Sequence, residues 1–294
     1  MPTNPTNESG KEADHDGVKE IPQKIHEPAP KFMYSKCTGR RRALCIGINY
    51  RGQRTELRGC INDAKHVFAF LIRRRGYHAE DIVVLTDDSP HARSQPTRKN
   101  MIDAMHWLVR DARPHDSFFF HYSGHGGRMP GLDGDAVDGF NGFIVPVDHK
   151  RHGYIVRDEM HAIMVMPLPA GCRFTAVFDS CYSGTVLHLP YIYDHHGRLK
   201  GPRVSPRARA HWATPADVIS LSACKDSQTS ADTFAGGVAV GAASYAFIKA
   251  IEMHPNQSYQ ELINNIRAIL HPKFSQKPQL TSSHPIDTHL RFIF

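Results

Sequence analysis

The chain has 294 residues, 40% of them hydrophobic and 22% charged, which is typical of a globular protein with one large domain or two modest ones. Its formal net charge is +7, and much of the excess lies in residues 198–209. An excess so local does not indicate a nucleic-acid partner. None of the six cysteines forms a CxxC pair, and no apolar run approaches the roughly 18 residues of a membrane span. We therefore expect a soluble cytoplasmic protein, with the nucleus as the alternative, that has reduced thiols and no membrane partner.

Residues 1–39 are polar and proline-rich, and we expect a flexible segment there. In chain order, the hydrophobic pattern then predicts the strand RALCIGINY, the helix CINDAKHVFAFLIRRRG, the strand DIVVLTD, the helix TRKNMIDAMHWLVRDA, the strands DSFFFHYSGHGG and GFIVPVD, the helix RDEMHAIMVM, the strands CRFTAVFDSC and DVISLSAC, the helices VAVGAASYAFIKAIEM and SYQELINNIRAIL, and a final strand within 278–294. This alternation predicts an α/β fold with a mainly parallel central sheet and helices on both faces.

Reactive side chains follow three of the predicted strands. Cys60 and Asp63 lie beyond the first strand, His125 follows the third, and Cys181 follows CRFTAVF. Ligands of parallel α/β sheets bind at the carboxyl ends of strands. A cysteine nucleophile needs a base, and a histidine at a neighbouring strand end can provide it. Because three glycines beside His125 leave room for a ligand, we predict a nucleophilic site of His125 and Cys181.

The motifs FFFHYSGHGG and VFDSCYSG resemble those of metacaspases, and so do CIGINY, GCINDA, VPVD, RDEM and CKDSQTSADT. Metacaspases belong to the caspase-like clan of cysteine peptidases. The resemblance extends over about residues 41–294, and it is to the metacaspases that have an N-terminal prodomain. It implies a caspase-like three-layer sandwich, a catalytic dyad of His125 and Cys181, and an oxyanion hole of the Gly126 and Cys181 amides. It also implies a monomeric, autoprocessing zymogen with a role in stress response or apoptosis.

Two acids indicate the substrate. Asp179 precedes Cys181 by two residues and shares its strand face, and Asp63 lies beyond another strand end. Two carboxylates in one pocket attract a cation and repel an aspartate, so we predict protein or peptide substrates cleaved after Arg or Lys. The resemblance implies that Cys60, Asp63, Ser123 and Asp179 form the pocket for that residue, the S1 pocket. The alternative for Asp63, taken alone, is an acid at a helix start that complements the helix dipole.

The basic segment would let such an enzyme cut itself. Exposed loops are the usual sites of proteolysis, and the candidates within residues 195–211 are Arg198, Lys200, Arg203, Arg207 and Arg209. The predicted catalytic domain, 40–294, then consists of a large-subunit-like region 40–194, a cleavable linker 195–215 and a small-subunit-like region 216–294. A solvated linker or a nucleic-acid-binding patch is the alternative for this segment.

Calcium activates many metacaspases through four aspartates. The corresponding positions here are Asn141, Arg157, Asp158 and His188, and only Asp158 is an acid. Because calcium takes six to eight oxygen ligands, we expect this degenerate site to bind it poorly, with Arg157 paired to Asp158 in place of the ion. No cofactor is therefore expected to be required. The acids Asp133, Asp135 and Asp138 leave a second cation site open.

A non-proteolytic caspase-like scaffold or chaperone is the alternative function. Such a protein should lack the dyad, whereas His125 and Cys181 are both present. A third alternative, a basic nucleic-acid-binding module, lacks a basic surface interleaved with aromatic residues. The sequence therefore favours a cysteine endopeptidase.

Overall fold

A seven-stranded sheet lies at the centre of the residues that the computed structural model describes, which are 32–131, 140–180, 187–194, 196–200, 212, 214–224, 233–235, 238–271 and 277–294. Only the backbone is described at 223, 224, 233–235, 238–240 and 277. The strands are β1 (Arg41–Gly47), β2 (Ile82–Thr86), β3 (Ser117–Ser123), β4 (Gly126–Pro130), β5 (Phe140–Ile144), β6 (Ile155–Val156), β7 (Arg173–Asp179), β8 (Tyr191–Tyr193), β9 (Asp217–Cys224), β10 (Thr233–Ala235), β11 (Val238–Val240) and β12 (Lys277–Ser282). The helices are α1 (Cys60–Arg75), α2 (Arg98–Val109), α3 (His149–His152), α4 (Arg157–Met164), α5 (Ala242–Met253) and α6 (Tyr259–Leu270).

The strand order of the central sheet is β2-β1-β3-β7-β9-β12-β8. The first five strands in this order are parallel, and β12 and β8 extend the sheet with antiparallel pairing. This arrangement confirms the predicted mainly parallel α/β sheet. A small antiparallel sheet of β4, β5 and β6 and the antiparallel pair β10–β11 lie outside it.

Helices cover both faces of the sheet. On one face, Met101 of α2 and Met160 of α4 pack in a buried apolar cluster with Phe120. On the other face, Val67 of α1 and residues of α5 and α6 pack in a second cluster with Phe119. Every residue of β3 is buried because its side chains alternate between two covered faces. This double burial explains why the central strands are continuous apolar runs in the sequence.

Local signals set the ends of the main helices. Gly76 ends α1 in the left-handed conformation, with φ of 67°, as glycine at this position commonly does. The Thr97 hydroxyl accepts a hydrogen bond from the Asn100 amide at the start of α2. Ser258 and Glu261 form a reciprocal capping box at the start of α6. The predicted starts of these three helices and the predicted ends of α1 and α6 are therefore confirmed, whereas α2 ends at Val109, before the predicted end at Ala112.

Two predicted elements differ from the structure. VAVGAASYAFIKAIEM was predicted to be one helix, but Val238–Val240 is β11 and the helix begins at Ala242. The alternating β-branched residues pair with β10, and extended Gly241 separates the strand from the helix. The predicted strand GFIVPVD is β5, which pairs with β4 and β6 in the small sheet and not with the central one.

A buried ion cluster lies at the amino end of β7, opposite Asp179. The Asp217 carboxylate pairs with Arg173 at 3.2 Å and with His284 at 3.1 Å, and it accepts a hydrogen bond from the Ser35 amide at 3.1 Å. These contacts tie the first described residues to the base of the sheet. Within the described ranges, no helix has the length and apolarity needed to cross a membrane.

Candidate active site

The carboxyl ends of β1, β3 and β7 lie side by side at one edge of the sheet. Ser123, the last residue of β3, is aligned with Gly47 on one side and with Asp179 on the other. His125 follows β3 by two residues, and α1 begins beyond β1. The structure therefore brings His125, Asp63, Ser123 and Asp179 to the same edge. Cys181, two residues beyond Asp179, lies outside the described residues.

Two buried tyrosines hold the main chain of His125. Its amide donates a hydrogen bond to the Tyr50 hydroxyl at 2.9 Å, and the Tyr122 hydroxyl donates to its carbonyl oxygen at 2.6 Å. Tyr50 in turn donates to the Val145 carbonyl oxygen at 2.7 Å. Burial raises the pKa of both phenols, so both remain protonated donors. Tyr50 has a φ of 56°, which is rare for a bulky residue and occurs most often at functional sites.

The hydrogen bond of the His125 ring determines its tautomer. Nε2 lies 2.6 Å from the Thr55 carbonyl oxygen, and the ring packs against Tyr50 with centroids 4.6 Å apart. Since a carbonyl oxygen only accepts hydrogen bonds, Nε2 carries the hydrogen and Nδ1 of the neutral ring carries the lone pair. His125 can therefore act as a base through Nδ1. Neither Tyr50 nor Thr55 was identified from the sequence. Thr55 contributes a main-chain carbonyl, which has no residue-type signature, and Tyr50 lies 75 residues from His125 in the chain.

The glycines near His125 make room for neighbouring side chains. A Cβ atom at Gly124 would lie 2.7 Å from the Tyr122 hydroxyl, and one at Gly127 would lie 2.4 Å from the ring of Phe143. At these two positions glycine is needed for packing, which differs from the ligand approach predicted from the sequence. Gly126, the predicted oxyanion donor, is the first residue of β4.

Asp63 and Asp179 converge on one point beside Ser123. Asp63 is buried in the first turn of α1, and its Oδ2 accepts a hydrogen bond from the Ser123 hydroxyl at 2.6 Å. Half-buried Asp179 ends β7 in register with Ser123. A Cβ atom built on Gly241 would lie 2.3 Å from Oδ2 of Asp179 and 2.5 Å from Oδ2 of Asp63. The two carboxylates therefore lie close to each other and pack against the same glycine.

The start of α5 also contributes to this acidic site. The Gly241 amide donates to Asp63 Oδ1 at 2.7 Å, and the Ser244 amide donates to Asp179 Oδ2 at 2.9 Å. Amides at a helix N-terminus favour bound negative charge. Sequence reasoning missed Gly241 and Ser244, which are far from both acids in the chain. The predicted pocket residue Cys60 is also buried, at the start of α1 in the apolar cluster of Tyr50 and Tyr122.

The four positions of the predicted degenerate calcium site lie together. Asp158 Oδ1 is hydrogen-bonded to His188 Nε2 and lies 3.7 Å from Arg157 Nε, while Asp158 Oδ2 accepts from Asn141 Nδ2 at 2.9 Å. Arg157 also donates to the Phe140 carbonyl oxygen at 2.8 Å. Burial acts to raise the pKa of Asp158, but the His188 hydrogen bond and the charges of His188 and Arg157 hold it below its usual value.

This cluster does not fit calcium. Asp158 supplies the acidic oxygens, and hydrogen-bond donors or cations already contact both of them. Arg157 is buried beside them with a positive charge and no oxygen to offer. Elsewhere in the described ranges, no group of three or more His, Cys, Asp or Glu side chains is arranged to hold a metal ion. Asp133, Asp135 and Asp138 lie outside those ranges.

The two described candidates for self-cleavage lie in a hydrogen-bonded turn. Arg198 donates its amide to the Asp194 carboxylate at 2.9 Å, and its carbonyl oxygen accepts from the Asp194 amide at 2.9 Å. The Lys200 amide donates to the Ile192 carbonyl oxygen at 2.7 Å. Arg203, Arg207 and Arg209 lie outside the described residues.

Trp212, just after the basic segment, is buried against the Asp158 cluster. Its ring stacks on that of His188 at a centroid distance of 4.3 Å and contacts the edge of His161 at 4.9 Å. The chain on both sides of the basic segment is therefore anchored to the body of the protein.

Comparisons with known proteins show which family this chain is similar to. A family model described as "Metacaspase, peptidase C14 domain" matches residues 41–190. The chain is 50% identical to Metacaspase-1 of Cryptococcus neoformans, over 96% of this chain and 71% of that protein. It is 49% identical to Metacaspase-1B of Aspergillus oryzae, over 90% of this chain and 72% of that protein. A solved protein of Geobacter sulfurreducens, at 24% identity and a TM-score of 0.60, covers 86% of this chain and 97% of its own, and supports the fold alone.

Proposed function

Because the chain belongs to the metacaspase family, and is therefore a cysteine peptidase of the caspase-like clan, we propose that it is an endopeptidase that cleaves after Arg or Lys. The observation that supports this specificity is that Asp63 and Asp179 converge on one point beside Ser123. Two carboxylates in a largely buried site attract a guanidinium or ammonium group more strongly than they would in water. They would repel the carboxylate of an aspartate at the same position.

In the mechanism that we propose, His125 Nδ1 takes the proton of the Cys181 thiol. The thiolate attacks the scissile carbonyl carbon, and the amides of Gly126 and Cys181 stabilise the oxyanion. The C–N bond then breaks as His125 donates the proton to the leaving amine, and a thioester remains. Water hydrolyses the thioester and restores the thiol. The orientation of His125 by Tyr50, Tyr122 and Thr55 supports its role as the base.

The direct test compares reporter peptides that end in Arg, Lys or Asp before the scissile bond, with wild-type protein and Cys181→Ala. We expect hydrolysis of the Arg and Lys reporters by the wild type alone. Preference for the Asp reporter would overturn the proposed specificity, and activity that survives in Cys181→Ala would overturn the nucleophile.

We further propose that the protein is a monomeric zymogen that cuts itself in the basic segment. Arg198 and Lys200 are poor sites, because a scissile bond must enter the catalytic edge in an extended conformation and the hydrogen bonds of this turn oppose that. The remaining basic candidates are Arg203, Arg207 and Arg209.

The double variant Arg198→Gln/Lys200→Gln is therefore expected to process itself at the wild-type rate. The triple variant Arg203→Gln/Arg207→Gln/Arg209→Gln should remain a single chain. Gel electrophoresis over time and mass spectrometry of the fragments measure both, with Cys181→Ala as the uncut control. Cleavage of the Cys181→Ala protein incubated alone would refute self-processing.

We also propose that the enzyme works without calcium, because Arg157 and His188 already supply positive charge to Asp158. Activity on the Arg reporter should change by less than about twofold between added calcium and a chelator. Calcium should also leave the unfolding temperature unchanged, since only a ligand bound to the native state raises it. The matched variant Asn141→Asp/Arg157→Asp/His188→Asp has four acids at this site, and calcium should raise its unfolding temperature. Strict dependence of the wild type on calcium would contradict this prediction.

A further inference from the structure

A buried histidine without a role in the proposed mechanism lies directly below the acidic site. His121 is fully buried on β3, two residues before Ser123, so both side chains point to the face covered by α1 and α5. The strand register aligns His121 with Val177, which lies one layer below Asp179 on the same face of β7. His121 is therefore placed to act on the acids from beneath.

A short chain of hydrogen bonds connects His121 to Asp179. Its Nε2 lies 2.9 Å from the Ser244 hydroxyl oxygen, and the amide of the same serine donates to Asp179 Oδ2 at 2.9 Å. Three residues earlier, the Gly241 amide donates to Asp63 Oδ1 at 2.7 Å. The first turn of α5 therefore contacts both Asp63 and Asp179 and is hydrogen-bonded to the buried ring of His121.

One side of this turn borders a cavity. A cavity of about 560 Å³ lies between α1 and α5, and Asp63, Phe70, Ser244 and Ile248 are among the residues that line it. Because a cavity borders the turn there, we expect the hydrogen bond to His121 to help fix where its amides point. Loss of that bond should let the turn and the acids shift together.

We propose that the first turn of α5, Gly241 to Ser244, forms a third wall of the S1 pocket, and that His121 is the positioning residue that holds it. This rests on the proposed preference for Arg or Lys. A Cβ atom on Gly241 would lie 2.3 Å from Oδ2 of Asp179 and 2.5 Å from Oδ2 of Asp63, so this turn packs directly against both carboxylates and fixes where they present their charge to a substrate cation. Burial lowers the pKa of His121 to about 3, so the ring is neutral at working pH and adds no positive charge to the pocket.

The test measures cation binding separately from catalysis. Benzamidine, a small amidinium ion, is titrated by calorimetry into Cys181→Ala protein that carries one further substitution. We expect His121→Phe, which keeps a ring but loses the hydrogen bond, to weaken binding about tenfold, and His121→Gln to restore much of the affinity. Ser244→Ala should lower the affinity for benzamidine as much as His121→Phe does, and the double variant His121→Phe/Ser244→Ala should bind it no more weakly than either single variant. Gly241→Ala, whose φ of −75° suits alanine, should abolish binding.

In active enzyme, His121→Phe should raise KM for the Arg reporter and leave kcat nearly unchanged. Alkylation of Cys181 by uncharged iodoacetamide, followed by mass spectrometry, should proceed at the wild-type rate because the dyad has not moved. If Asp179→Asn weakens benzamidine binding but His121→Phe and Gly241→Ala do not, the proposed third wall is refuted and the acidic pocket of Asp63 and Asp179 is supported. If Asp179→Asn has no effect, the proposed specificity itself is wrong.

Discussion

Replacing His125 with Ala is expected to lower kcat/KM for the Arg reporter by about 10³-fold or more. Because Nε2 is engaged by the Thr55 carbonyl oxygen, Nδ1 is the ring nitrogen able to take the proton of Cys181. Without that base, a cysteine of ordinary pKa is mostly protonated at neutral pH and attacks slowly. Initial rates at low substrate concentration give the ratio directly.

Three further variants define this effect. His78→Ala removes an exposed histidine beyond the far end of α1 and should leave the rate unchanged. Tyr50→Phe keeps the ring against His125 but loses the hydroxyl that accepts from its amide, so a loss of about tenfold is expected. His125→Ala/Cys181→Ala should be no slower than either single variant, because the two groups act as a unit. A His125→Ala enzyme that keeps a tenth of the wild-type activity would rule out the base.

The second large effect expected is a loss of substrate preference when Asp63 or Asp179 is neutralised. Asp179→Asn and Asp63→Asn keep the shape of each side chain and remove its charge, and each should lower kcat/KM for the Arg reporter by about a hundredfold. The expected size follows from the burial of the site, where removal of one partner leaves the substrate cation poorly compensated. Rates for matched reporters with Arg and with uncharged citrulline before the scissile bond measure the preference.

A surface acid provides the control. Asp103→Asn on α2 removes an equal charge from an exposed side chain that pairs with Lys99, and it should leave the preference unchanged. Thermal unfolding of all the variants separates pocket effects from loss of fold. If Asp63→Asn/Asp179→Asn keeps the wild-type ratio of Arg to citrulline cleavage, the acids do not select the substrate.

The sequence predicted most of the strands and helices because periodicity reports burial locally. The continuous apolar runs of β1, β3 and β7 follow from burial on both faces, and the caps at Gly76, Thr97 and Ser258 are local signals. The one clear misassignment, Val238–Val240, occurred where a short alternating run lies directly before a helix. Antiparallel pairing with the preceding strand, β10, decided the structure there, since such a run suits either state.

The acids could be predicted as a pair because both follow strands whose carboxyl ends share one edge of the sheet. The small sheet of β4, β5 and β6 was not foreseen as a separate unit. In it, β4 pairs with β5 in a register that joins Gly126 to Ile144 and Pro130 to Phe140, and neither composition nor periodicity reveals this pairing. The four positions of the Asp158 cluster were identified from the resemblance, but the hydrogen bonds among them are known only from the fold.

The sequence by itself therefore determined the order of elements and the position of His125, Asp63 and Asp179 at or beyond the ends of strands, because it contains both the side-chain chemistry and its spacing. The tertiary structure alone decided what orients them: the carbonyl of Thr55 for His125, and the amides of Gly241 and Ser244 for Asp63 and Asp179. Every residue has a carbonyl and nearly every residue an amide, so these donors and acceptors have no sequence signature. Only folding selects which of them, 178 positions away from Asp63, becomes its partner.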